Sequence, residues 1–249
     1  MYKYKKLKTS TKETDFKHRR KFIIIAIGGG EVALNETYEI DKFIVESSKK
    51  EKPNFLFIPT ASKDAEAYVT IINKLYGELG CKTDTLYLSN TKVNAEEVNQ
   101  KIENADIIYV GGGNTQYMMK VWQEYGVDKA LIRAYKSGKV LSGLSAGSIC
   151  WFIAGHSDSE FIEDIENPKH KWVKGLGIIP YLHCPHYDEP DRVGFDEFYA
   201  GQLTDAIAIE NQVAVVWDNY EIHVIKSNPN KNAYKLSWSD TGLNKEVLF

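Results

Sequence analysis

The first 141 residues alternate between short apolar runs and longer stretches of helical character. The apolar runs lie at 22–27, 55–58, 85–88, 106–110 and 140–141. Such continuous runs are typical of strands that are buried on both faces. The stretches 36–48, 64–79, 95–103, 115–125 and 127–137 are predicted to be helices. This alternation predicts an α/β fold with a parallel, flavodoxin-like sheet and helices on both of its faces.

The pattern changes after residue 150. Residues 153–180 mix glycine, proline, acidic residues and tryptophan, and we expect loops or irregular hairpins there. A short apolar run lies at 181–184, and 191–203 is predicted to be helical. Runs at 206–209, 214–217 and 222–225 are separated by turn residues, which predicts antiparallel additions to the sheet near the C-terminus. We expect a single α/β domain over 22–249.

Charge and composition narrow the possible partners. The net charge of -3 argues against general nucleic-acid binding. Residues 1–21 hold nine Lys or Arg against two Asp or Glu, so we expect a solvated basic N-terminal arm; an anchor for an acidic surface is the alternative.

No apolar run reaches the length of a membrane span or fits a signal peptide. Three cysteines without metal-type spacing favour a reducing compartment, so we expect a cytoplasmic protein. The sequence leaves the oligomeric state open between a monomer and a homodimer.

Residues 143–147 read Gly-Leu-Ser-Ala-Gly and match the G-x-S-x-G nucleophile elbow. In that motif a strand enters a tight turn, the serine sits at its apex with the hydroxyl exposed, and a helix leaves the turn. The apolar residues on either side fit a strand before the turn and a helix after it. Ser145 is therefore a candidate nucleophile, and a Gly/Ser-rich loop is the structural alternative.

A serine nucleophile needs a base within hydrogen-bond reach and an acid that orients the base. His186 follows a short strand, and sites in open α/β sheets lie beyond the carboxyl ends of the strands. His186 is therefore the candidate base, although a loop histidine without a catalytic role is the alternative. Candidates for the acid are Asp158 and Glu160, which come soon after the elbow. Asp188, Glu189 and Asp191 are close to His186 in sequence.

A second glycine turn, Gly111-Gly112-Gly113-Asn114, ends one predicted strand and opens a helix. Its N–H groups should face the same sheet edge as the elbow. One of them, together with the N–H of Ala146, is predicted to form an oxyanion hole. The structural alternative is a tight turn with no role in binding.

Two other motifs do not support a cofactor. Residues 28–33 fit a loose dinucleotide-binding fingerprint, but the second strand ends in Ile-Pro-Thr without an acid for a ribose hydroxyl. His183 and His186 are three residues apart near a strand end, which is not the spacing of metal ligands on one helix face. We expect neither a cofactor nor a metal.

Three motifs together resemble the peptidase S51 family, which contains the aspartyl dipeptidase peptidase E and the cyanophycinases. They are Val-Gly-Gly-Gly-Asn-Thr at 110–115, the elbow at 143–147 and Pro-His-Tyr at 185–187. Their order and spacing extend over about 22–225. The resemblance implies the fold of class I glutamine amidotransferases, with serine in place of their nucleophilic cysteine. It also implies Ser145 as nucleophile, His186 as general base, and an Asp or Glu in the segment 158–160 as third member.

The same resemblance implies a serine peptidase that hydrolyses small peptides and prefers an acidic residue such as an N-terminal Asp. A guanidinium would bind that carboxylate through two parallel hydrogen bonds, and Arg192 is the candidate. A surface ion pair of Arg192 with Asp188 or Asp191 is the alternative. A cyanophycinase-like hydrolase, an α/β-hydrolase esterase and a non-catalytic binding protein remain alternative functions.

Overall fold

The computed structural model describes residues 22–89, 93–159 and 170–249. The predicted basic arm at 1–21 and the candidate acid Glu160 lie outside the described residues. Within them the strands are β1 Ile23–Ile27, β2 Asn54–Ile58, β3 Lys82–Thr85, β4 Ile107–Val110, β5 Val140–Leu144, β6 Phe152–Ser157, β7 Lys171–Lys174, β8 Ile179–Cys184, β9 Ala206–Ile209, β10 Val213–Asp218, β11 Glu221–Lys226, β12 Ala233–Ser239 and β13 Gly242–Leu248. The helices are α1 Tyr38–Ser47, α2 Glu66–Glu78, α3 Ala95–Asn104, α4 Thr115–Tyr125, α5 Val127–Lys136, α6 Ala146–Ile149 and α7 Phe195–Tyr199.

The first sheet has seven strands in the order β11-β10-β1-β5-β4-β2-β3. Its five N-terminal strands pair in parallel, while β10 and β11 are antiparallel additions at one edge. The predicted α/β class is therefore confirmed, and the predicted runs at 214–217 and 222–225 are antiparallel additions to this sheet. The run at 206–209 is not: it belongs to a second sheet, where it pairs in parallel with β8 and antiparallel with β12. All five residues of β1 are buried, which explains its continuous apolar sequence.

Helices cover the first sheet on both faces, as the pattern predicts. Residues Ile23, Ile25 and Ile27 of β1 pack with α1 and α2, whereas Ile24 and Ala26 pack on the side of α3, α4 and α5. This alternation follows from the two-residue repeat of a strand. None of the helices in the described ranges combines the length and the apolarity that a membrane span requires.

A second sheet of six strands, in the order β13-β12-β9-β8-β6-β7, lies beside the first. Ile207 and Ile209 of β9 belong to the same buried cluster as Ile24 of β1. The opposite face is covered by α7, whose Phe195 and Tyr199 are fully buried. The pattern of apolar runs along the chain does not predict this sheet as a separate layer.

Three predicted segments differ from the structure. The third strand is Lys82–Thr85 rather than 85–88, because it is an edge strand whose residues are mostly polar and exposed. Residues 153–157 and 171–174 form strands where loops or irregular hairpins are predicted. The predicted helix at 191–203 shrinks to a 3-10 turn, Pro190–Arg192, and the five-residue α7.

Candidate active site

Ser145 stands at the apex of the turn between β5 and α6. Its φ of 57° and ψ of -114° place it in a region that side-chain-bearing residues rarely adopt. The flanking glycines make this turn possible. A Cβ on Gly143 would overlap the backbone of Gly147, and a Cβ on Gly147 would overlap the backbone of Val110. The elbow predicted from the sequence is therefore present as a strained turn.

The end of β1 anchors both Ser145 and His186. The Ser145 N–H donates to the Ile27 carbonyl at 3.1 Å, and the His186 N–H donates to the carbonyl of the next residue, Gly28, at 3.2 Å. Both side chains line one cavity of about 500 Å³ at this edge of the first sheet. The structure thus brings together the two residues that the sequence analysis pairs as nucleophile and base.

The Nδ1 atom of His186 lies between two oxygen atoms. Glu189 Oε1 and Asn211 Oδ1 are each 2.9 Å from it. The Asn211 amide nitrogen also donates to Glu189 Oε1 at 2.9 Å. The hydrogen bond to His186 is the largest cause that lowers the pKa of Glu189 to about 2, and the Asn211 hydrogen bond adds to it. Glu189 is therefore ionised at neutral pH.

Asp158 and Arg192 form a separate group. The Arg192 guanidinium lies 3.4 Å from Asp158 Oδ2 and 3.5 Å from Asp191 Oδ2, and its side chain is only 3% exposed. Among the described residues, those that line the cavity include neither Arg192 nor Asp158. The structure therefore places Asp158 against Arg192 rather than against His186, and it places Arg192 beside two carboxylates and outside the lining of this cavity.

The residues of the second glycine turn have different roles. Gly112 lines the cavity, and a Cβ at this position would lie 3.4 Å from the Cβ of Ser145. Gly113 has a φ of 134° and packs against the backbone of Ala61, so it serves the turn itself. The buried Asn114 caps α4 by accepting the Tyr117 N–H at 2.9 Å. Ala146 is buried in the first turn of α6, directly after Ser145.

The wall of the cavity is rich in carboxylates. Glu31, Glu36, Asp188 and Glu189 line it, together with the basic side chain of Lys231. Lys231 Nζ is paired with Asp188. Asn211 and Lys231 are not predicted from the sequence as site residues, because the first follows β9 and the second lies in the loop before β12. No motif marks either position.

His183 is buried, and both of its ring nitrogens contact groups of the protein itself. Its Nε2 is 2.8 Å from the Ser148 hydroxyl, and its Nδ1 is 2.8 Å from the Ile207 carbonyl. Burial lowers the pKa of His183 to about 3. Both ring nitrogens are therefore engaged within the protein, which leaves neither for a metal shared with His186.

Comparisons with known proteins agree with this geometry. The model of a family described as peptidase family S51 matches residues 24–225. The "uncharacterized peptidase YgaJ" of Bacillus subtilis is 38% identical over 171 residues, which is 68% of this chain and 70% of that protein. A peptidase E of Nostoc is 28% identical over 195 residues, 76% of this chain and 73% of that protein. A crystal structure of a peptidase from an acI-B1 actinobacterium superposes with a TM-score of 0.70 at 19% identity, covering 91% of this chain and 94% of that one, and so shares the fold.

Proposed function

Because the chain belongs to peptidase family S51 and is a serine peptidase, we propose that it hydrolyses small peptides with Ser145 as nucleophile and His186 as general base. The observation that carries this proposal is the common anchor of the two residues at the end of β1. Family membership removes the esterase and the non-catalytic binding protein from the alternatives.

The proposed reaction follows the acyl-transfer chemistry of a serine nucleophile. The Ser145 hydroxyl attacks the scissile carbonyl while His186 accepts its proton. His186 then gives this proton to the leaving amine, and an acyl-enzyme forms on Ser145. Water, deprotonated by His186, attacks the acyl group, and Ser145 leaves with the proton that His186 returns.

Negative charge on the carbonyl oxygen needs donors close to Ser145. We assign this role to the N–H groups of Gly112 and Ala146, which flank the nucleophile. In the structure the Gly112 N–H donates a long hydrogen bond of 3.4 Å to the Tyr68 hydroxyl, which the substrate oxygen would replace, and Tyr68 also lines the cavity. Burial raises the pKa of Tyr68 to about 12, so its hydroxyl stays protonated.

The charge of the cavity wall bears on the choice of substrate. Arg192, the candidate partner for an acidic substrate residue, does not line the cavity. Among the described basic side chains of the wall there is only Lys231, which is already paired with Asp188. Four carboxylates favour a substrate that presents a cation, such as a free α-amino group. The same observation favours cyanophycinase-like release of β-Asp-Arg dipeptides as a second candidate function.

The test combines one variant with a substrate panel. Ser145→Ala should lower kcat by roughly 10³-fold or more, since no other group replaces the nucleophile. Ser47→Ala on α1 is the matched control and should keep full activity. Turnover of Asp-Ala, Ala-Ala and Arg-Ala dipeptides and of a β-Asp-Arg polymer is measured by amine release. Undiminished turnover in Ser145→Ala would remove Ser145 from the mechanism, and the fastest substrate decides between the two candidate functions.

A further inference from the structure

We propose that Glu189 and Asn211 act together as positioning residues for His186, so that a carboxylate and an amide share the place of a single acid. This inference rests on the proposed function. The three side chains form a closed set of contacts: each oxygen lies 2.9 Å from His186 Nδ1, and the Asn211 nitrogen lies 2.9 Å from Glu189 Oε1.

The chemistry of these groups fixes the location of each proton. An ionised carboxylate only accepts hydrogen bonds, so the Asn211 nitrogen must face Glu189 and its oxygen must face His186. Both atoms beside Nδ1 are then acceptors, and the neutral imidazole must carry its proton on Nδ1. Its Nε2 is left as the acceptor, which is the tautomer that a general base for Ser145 requires.

The backbone holds these side chains in place. The Glu189 N–H donates to the His186 carbonyl at 2.9 Å, which closes a turn and brings the base and its carboxylate to the same side. The Tyr187 N–H donates to the Ile209 carbonyl at 3.1 Å, and the Asp188 carboxylate accepts the Asn211 N–H at 2.8 Å. These two hydrogen bonds connect the turn 186–189 with the end of β9, and so hold His186 and Glu189 next to Asn211.

The two partners have complementary contributions. Glu189 supplies negative charge that favours the imidazolium formed during the reaction, although its side chain is 40% exposed and water weakens the attraction. Asn211 supplies a neutral acceptor whose direction does not change with pH. Other charged groups surround this set. Asp188 pairs with Lys231, Glu210 accepts the Asn232 N–H, and Glu36 accepts the Glu31 N–H. Glu31 also lines the cavity, and the charge of Arg192 helps to lower the pKa of Glu189.

Glu189→Gln tests the charge. We expect kcat to fall about 10-fold to 100-fold with KM unchanged, because the imidazolium loses its counter-charge. The acid limb of the kcat/KM profile should move to lower pH for the same reason. The matched control is Glu103→Gln on the exposed end of α3, which should change neither kcat nor the profile.

The decisive variant exchanges the two functional groups. In Glu189→Gln/Asn211→Asp the carboxylate moves to position 211 and the amide to 189, so the same pattern of donors and acceptors is available. We expect this double variant to recover most of the kcat lost in Glu189→Gln, and its acid limb to return toward that of the wild type. A merely structural role for Glu189 would not produce this return.

Two results separate failure of this inference from failure of the proposed function. If the wild type is active, Ser145→Ala is inactive, and Glu189→Gln and Asn211→Ala keep wild-type kcat and pH profile, the paired positioning role is wrong and the peptidase proposal stands. If activity persists in Ser145→Ala, the proposed function itself fails. Circular dichroism of each variant shows whether the fold is intact.

Discussion

At the scale of single residues, Asp41 is an unusual buried acid. It lies on α1 with no exposure to solvent, and its carboxylate accepts hydrogen bonds from Tyr76 and Thr37, each at 2.8 Å. Burial raises the pKa of Asp41 to about 7, and the two hydrogen bonds only partly oppose this effect. The carboxyl group therefore ionises in the folded protein near neutral pH.

This shift predicts a pH-dependent loss of stability. Well below pH 3.8, the ordinary pKa of an Asp, the group is protonated in both states. As pH rises toward 7 the unfolded chain releases this proton first, so the unfolding free energy falls by up to about 1.4 kcal/mol per pH unit. Asp41→Asn should lack this loss. In urea unfolding at pH 5, 6, 7 and 8, the unfolding free energy of Asp41→Asn relative to that of the wild type should rise up to pH 7. The exposed Asp240→Asn should show the same pH dependence as the wild type throughout.

The residues of the candidate site are predictable from the sequence to different degrees. Ser145 and His186 stand in short motifs whose turn geometry is local, so their neighbours in sequence identify them. Asn211 is 25 positions from His186, and its hydrogen bond depends on how β8 and β9 pair in the second sheet. Arg192 is close to His186 in sequence, yet its side chain turns toward Asp158, which only the tertiary structure determines.

At the scale of elements, β1 organises the site through the glycines that follow it. Gly29 lies so close to the His186 ring and the Asn211 amide that a Cβ there would overlap both. Because Gly29 has no side chain, the His186 ring and the Asn211 amide can approach the end of β1.

Gly29→Ala should accordingly lower kcat/KM by about 100-fold or more, because the added methyl group displaces His186 from Ser145. Gly77→Ala is the control: no atom lies within 4 Å of a Cβ at that position on α2. We expect it to leave activity unchanged and to raise the unfolding free energy by about 0.5–1 kcal/mol, the usual gain in a helix. Steady-state kinetics and urea unfolding of both variants check these outcomes; full activity in Gly29→Ala would contradict the crowding seen in the structure.

The elements that the sequence predicts well are those buried on both faces, since β1, β2, β4 and β5 leave continuous apolar runs. Edge strands carry no such signal. Lys82–Thr85 is mostly polar, and Gly242–Leu248 has exposed residues on much of its length. The strand Phe152–Ser157 is not predicted for another reason. Its glycine and histidine suggest a loop, and its strand conformation depends on pairing with β8, which is distant in sequence.

At the scale of the whole molecule, one of the buried apolar clusters contains residues of both sheets. Leu236 of β12 is fully buried in the cluster between the second sheet and α7, while β9 of the same sheet packs against the core of the first. If residues 22–249 form one domain, the two sheets should unfold together in a single transition.

Leu236→Ala should reduce the unfolding free energy by about 2–5 kcal/mol, the usual cost of a cavity left by a buried leucine. If 22–249 is one domain, Trp fluorescence and far-ultraviolet circular dichroism should report the same lowered midpoint. Leu203→Ala, at a leucine that is 99% exposed, should leave the midpoint unchanged. Two separate transitions in Leu236→Ala would show that the sheets unfold independently.

The attachment of Ser145 and His186 to the main chain of β1 has a wider consequence. Peptide carbonyls are common to all residues, so this tether does not depend on which side chains surround the mouth of the cleft. Substitutions at Glu31 and Glu36, arising by selection or by engineering, can therefore change which substrate the cavity accepts while the spacing of Ser145 and His186 stays the same.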